Sequence, residues 1–174
     1  MTDYLKFYDD ERYLFEEVGP HFREAGIIEP ADFYMILIWK AERGKNKNRD
    51  RLKKQAGSFQ SAVSLIASEL HKTPEQDKRL QVLMDQWGFY IPTATAILTI
   101  LYPEEFTVYD VLVCREVGCD YKPWREFSPG LWGDYEQFRD AVISKTPTGL
   151  ALRDKDRFLI GRSFRLGVER DCQN

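Results

Sequence analysis

The stretch from Trp87 to Arg115 holds the residue types from which chemistry could be built: a glycine turn, a helix start of small residues and, further on, the carboxylate of Asp110. A turn at Gly88 leading into P-T-A-T-A-I-L sets backbone N–H groups at a helix start, where they favour an anion such as a phosphate. Asp110 follows a break at Pro103 and is flanked by Val108 and Val111, where another helix is expected to begin. One reading of it is a helix N-cap that accepts from the N–H of Leu112 or Val113. The other is a carboxylate that stabilises developing positive charge and orients or deprotonates an attacking water. Arg115, one turn on, is placed either to pair with it and keep it ionised or to form an ordinary surface ion pair.

A base extruded from a nucleic acid needs faces to stack on. The candidates are Tyr109, Trp39, Trp87 and Tyr90, with Trp124 and Trp132 behind them, and for each of them core packing is the commoner role. Tyr109 is favoured by its position beside Asp110. Trp39 comes next, because it ends an apolar helix just before a basic segment. Between Lys40 and Lys54 there are eight Lys or Arg against Glu42 and Asp50, within a chain whose formal net charge is −3. Such a segment can attract a polyanion or can simply be a solvated surface. Phosphate contacts are therefore expected from the amides around Gly88, Tyr90 and Thr93 and from Lys45, Lys47 and Arg49, with Arg51, Lys53 and Lys54 nearby.

The elements that would position these groups read as helices. With 174 residues, 43% hydrophobic and 30% charged, the chain can bury a core and is neither disordered nor membrane-spanning in pattern. The N-terminal M-T-D-Y-L-K-F-Y lacks a basic region followed by an apolar one, so a cytoplasmic protein is expected. Cys114, Cys119 and Cys172 match no metal or cluster spacing, and His21 and His71 stand apart, so no metal or other cofactor is expected. The expectation is one all-α domain over 1–174, in one or two lobes.

Its helices are expected over 3–18, ending at Gly19-Pro20, and over 31–43, apolar all round and therefore central. After a break at Gly44 and K-N-K-N, a single stripe of Leu52, Ala56, Phe59, Val63, Ile66 and Leu70 follows. Thr73-Pro74-Glu75-Gln76 reads as a capped start. Further helices are expected over 92–101, from an Asp134/Gln137 capping pair onward, and over about 150–163, with a loop from Gly118 to Trp132.

Over Gly88 to Asp110 the chain resembles the helix-hairpin-helix DNA glycosylase superfamily, the group of endonuclease III and the alkyladenine glycosylases. In that family a hairpin of the form L-P-G-V-G-x-K-T-A precedes an apolar helix and a catalytic aspartate in a V-D-x-x-V context. Gly88 falls on the first hairpin glycine, Thr93-Ala94 on the T-A pair, Pro103 on the proline turn and Asp110 on the aspartate, eighteen positions past Pro92. Two residues depart from the pattern. Tyr90 replaces the second glycine and resists a left-handed backbone. Pro92 replaces the lysine of the lyase members, so a lyase using that position is ruled out.

The resemblance implies a compact helical fold around the hairpin, a DNA partner and a monofunctional glycosylase that hydrolyses the bond to a damaged or modified base through Asp110. It also raises a monovalent cation on hairpin carbonyls. Two alternatives stand beside it: a non-catalytic helix-hairpin-helix module that binds nucleic acid, and a helical interaction or defence protein.

Overall fold

The computed structural model describes residues 4–172, and every regular element among them is helical. In chain order these are α1 (Asp10–Tyr13), α2 (Gly19–Ala25), α3 (Pro30–Ala41), α4 (Lys45–Ala56), α5 (Phe59–Lys72), α6 (Gln76–Gln81), α7 (Ile91–Leu101), α8 (Val111–Val117), α9 (Pro129–Ser144) and α10 (Leu152–Asp171). Wider π turns extend α1 over Leu14–Val18 and α6 over Val82–Gln86. No described helix is long and apolar enough to cross a membrane.

The centre of the fold is α7. Every residue from Ala94 to Leu101 is buried. Its two polar residues on that run are satisfied locally: Thr95 Oγ1 donates to the Ile91 carbonyl and Thr99 Oγ1 to that of Thr95. The 31–43 segment, expected to be central, instead packs on α7 through Phe33, Ile36 and Leu37, while Tyr34, Met35 and Trp39 are only partly covered. A run that is apolar all round here fills one layer and supplies the wall of a cleft.

Several boundaries differ from the sequence expectation, each for a local reason. Asp3 lies outside the described residues, and Phe7 belongs to a separate short turn, Tyr4–Phe7. Gly19-Pro20 does not end the first helical stretch. The chain widens to a π turn just before Pro20, which has no N–H to donate, and continues to Gly26 in a left-handed conformation (φ 69°). A Cβ on Gly19 would lie 2.4 Å from the Ile100 carbonyl oxygen, so α2 crosses α7 at backbone contact.

A short 3-10 turn over Glu42–Gly44 separates α3 from α4, at the expected Gly44 break, but the K-N-K-N stretch is the first turn of α4. A second interruption falls at Gly57-Ser58, where Gly57 is left-handed (φ 80°) and Ser58 Oγ caps Ser61, splitting the apolar stripe into α4 and α5. Thr73 caps no helix start; its hydroxyl donates to the Glu69 carbonyl and closes α5. Asp134 and Gln137 lie inside α9, whose cap is Ser128, and α10 runs on to Asp171.

Candidate functional site

Helices α6 and α7 meet at a tight turn, Trp87–Tyr90. Gly88 is left-handed there (φ 62°), and a side chain at this position would press 2.9 Å from an Arg51 guanidinium nitrogen. The amides of Phe89, Ile91 and Thr93 donate to the carbonyls of Leu83, Trp124 and Tyr90. Gly88 and Tyr90 keep the amides with no partner among the described residues, and both residues are exposed. Thr93 is thus removed as a backbone donor. The carbonyls of Leu83, Gln86 and Tyr90 accept from Phe89, from Gln55 Nε2, and from Thr93 and Ala94.

After a turn over 103–105, the chain between α7 and α8 forms no regular element and reaches Asp110 in an extended conformation (φ −130°, ψ 147°), and the side chains of Val108, Tyr109 and Asp110 alternate. Val108 and Asp110 line one cleft and Tyr109 lines another. Tyr109 is buried against Tyr121, Trp124 and Phe138, its hydroxyl accepting from the Lys122 amide. Burial holds its phenol well above the usual range. Adjacent position in sequence therefore puts Tyr109 on the far side of the chain from the Asp110 carboxylate. Trp87 is enclosed as well, its Nε1 donating to Glu69 Oε2 at 2.7 Å. Of the four aromatic candidates, Trp39 is the one that shares a cleft with Asp110. Tyr90 stays exposed on the hairpin with Arg125 over its ring at 4.6 Å.

That cleft has a volume of about 250 Å³ and is lined by Trp39, Lys40, Val108, Asp110, Arg153 and Asp156, with Glu11 and Ile160 at its edge. Asp110 is the N-cap of α8: Oδ1 accepts from the Leu112 amide at 2.9 Å. Oδ2 accepts from Lys40 Nζ at 2.7 Å, and the Asp110 side chain is 27% exposed. Burial pushes this carboxyl up, but the Lys40 charge, the Lys40 hydrogen bond and the Leu112 amide outweigh it and hold it below the ordinary aspartate range. Arg115, the partner expected from spacing, is exposed, and the cation paired with Asp110 is Lys40 instead.

Asp156 and Arg153 were not singled out by sequence reasoning, and they build the back of the cleft. Asp156 has no exposed surface; it accepts from Thr107 Oγ1 at 3.2 Å, from the Val108 amide at 3.3 Å, and from Arg153. Burial raises its carboxyl against the pull of Arg153 and these donors. The same Arg153 lies over the rings of Phe15 (4.9 Å) and Trp39 (5.2 Å) and also pairs with Glu11. Asp156 thus fixes the segment that delivers Asp110, and Arg153 fixes the indole. A run of alternating Arg and Asp on one helix, R-D-K-D-R over 153–157, was the available signal.

The basic segment spans the two features. Lys40 ends at Asp110; Arg51, on α4, lies over the Phe89 ring at 4.7 Å; and Gln55 Nε2 donates to the Gln86 carbonyl at 2.6 Å. Burial lowers the Arg51 pKa, and its Nη1 has no hydrogen-bond partner. Of the expected phosphate contacts, Lys47 is exposed, Lys45 leans on Glu42 at 3.4 Å, and Arg49 pairs with Asp50 at 2.9 Å. Among the described residues no group of His, Cys, Asp and Glu is arranged to hold a metal ion. Comparison with protein-family models, with curated proteins and with solved structures finds no match to this chain.

Proposed function

We propose that the chain is a helix-hairpin-helix, glycosylase-like DNA-binding protein that hydrolyses the N-glycosidic bond of a damaged or modified base. The observation that carries this reading is the Asp110 carboxylate: ionised, part-exposed, and sharing a cleft with the Trp39 indole. Loss of a base from its sugar develops positive charge at the sugar, and an anion fixed beside that carbon lowers the barrier. Lys40 keeps the anion charged at neutral pH, and the Leu112 amide fixes its orientation. Trp39, backed by Arg153, offers a face for the extruded base. The unpartnered amides of Gly88 and Tyr90 and the exposed cations of α4 are groups of the kind that contact a sugar–phosphate backbone.

In this reading the reaction is a hydrolysis. Water attacks the sugar carbon, its proton passes to Asp110 or to solvent, and the base leaves with the bonding pair. The direct test is base release from duplexes carrying oxidised, alkylated or deaminated bases.

A second reading, a binding module without catalysis, is favoured by one feature. Both Asp110 oxygens already have partners, one from the helix it caps and one from Lys40. Under that reading the protein binds duplex DNA in a salt-sensitive way and releases no base.

A further inference from the structure

We infer that the second half of α10 is a self-association surface, on which a second copy of this chain docks antiparallel about a two-fold axis at Phe164. The first half of α10 packs on the domain through Leu152, Lys155, Asp156 and Leu159. Beyond Leu159 no described residue of the helix is buried, although Arg162 still reaches Glu116 of α8, and one face of it is apolar and exposed, with Ile160 at its near end also bordering the Asp110 cleft. Ile160, Phe164 and Val168 follow one another at a spacing of four, so they share a face, and their exposures are 37%, 74% and 37%.

Gly161 and Gly167 lie on the same face, three residues to either side of Phe164. An ideal Cβ on either glycine would meet nothing within 4 Å. Glycine weakens a solvated helix, and here no packing among the described residues accounts for two of them. A large exposed ring between two hollows is the pattern of a knob with holes waiting for a partner's knob.

The order of residues along this face identifies the partner. An antiparallel copy turned about Phe164 sets Ile160 against Val168 and Gly161 against Gly167, with each Phe164 ring entering the hollow beside the other. It also sets Arg157 against Asp171, seven residues out on each side and on the same face. Both are exposed at the surface, and Arg157, 55% exposed, leans on Glu11 and Asp154 at 3.2 Å while keeping open donors. A parallel copy would bring Arg157 against Arg157 and Asp171 against Asp171. The charges therefore select the antiparallel, isologous pairing of a two-fold dimer.

The test is the mass of the intact chain in solution, by sedimentation equilibrium across a wide range of concentration. A reversible dimer of twice the 20.5 kDa chain mass is expected. Phe164→Glu places two carboxylates at the axis and should weaken association about ten-fold or more. Asp171→Arg should weaken it as well, and adding Arg157→Asp to that variant should restore it. Both sites are exposed, and an unchanged circular dichroism spectrum verifies that the variants fold. A monomer at every concentration would overturn the proposal, as would a dimer that Phe164→Glu leaves intact or a charge swap that fails to restore association.

Discussion

Lys40 Nζ lies 2.7 Å from Asp110 Oδ2, across seventy positions of sequence, and joins the last turn of α3 to the cap of α8. Both side chains are largely covered, 13% and 27% exposed, so the pair is shielded from solvent more than a surface ion pair is. It keeps the candidate carboxylate charged and anchors the start of the basic segment against the cleft.

Replacing Lys40 by Met should raise the Asp110 pKa, because burial then acts without the opposing charge. In the native chain the carboxyl sits below the ordinary value of 3.8. Its stabilising contribution is thus present above that value and fades as pH falls through the depressed one. In Lys40→Met the sign reverses, and stability declines as pH rises above the unfolded value. The neutral-pH loss should be about 1–3 kcal/mol. Carboxyl carbon titration by NMR, with urea unfolding at pH 3 and pH 7, checks both.

Asp156→Ala should be among the costliest single changes, about 3–5 kcal/mol, since it strands the largely covered Arg153 guanidinium and the Thr107 and Val108 donors. Loosening of the 106–110 segment should accompany it, read as faster amide exchange at Val108. Equal stability and unchanged exchange would show that Asp156 does not hold that segment.

Gly88→Ala should cost about 1–2 kcal/mol, because alanine must take a φ of 62° at the turn between α6 and α7. The nearest atom to the new Cβ is the end of the Arg51 side chain, which can shift, so backbone strain sets the cost. Thermal unfolding measures it.

Charge reversal at Lys45, Lys47 and Arg49 should weaken duplex binding and flatten its salt dependence. The slope of log K against log salt should fall by about 0.9 for each phosphate no longer neutralised. Fluorescence anisotropy over a salt series reads this. An unchanged slope would remove α4 from the interface.

The all-helical class was legible because apolar spacing on α5, α7 and α9 is strong and needs no tertiary information. What escaped the sequence was set by tertiary packing or by single backbone conformations. Pro20 reads as a stop, yet a π turn absorbs its missing donor. Gly57 reads as one more helical residue in a stripe, yet its left-handed backbone splits two helices. At the candidate site, Asp110 and Trp39 stand out by residue type and position. Lys40, Arg153 and Asp156 do not, because the fold brings them to the 106–110 segment from seventy and more than forty residues away, and no local spacing encodes that. Tyr109 misleads for a physical reason: neighbours in an extended strand point to opposite faces.

The central claim, that Asp110 acts on a glycosidic bond rather than only capping α8, is tested most directly by single-turnover base release with the native protein and Asp110→Asn. The asparagine oxygen can still cap Leu112, so the variant should fold and bind duplex while base release falls by about a hundred-fold or more. Base release by Asp110→Asn at the native rate, or none by the native protein on any oxidised, alkylated or deaminated base it binds, would contradict the claim.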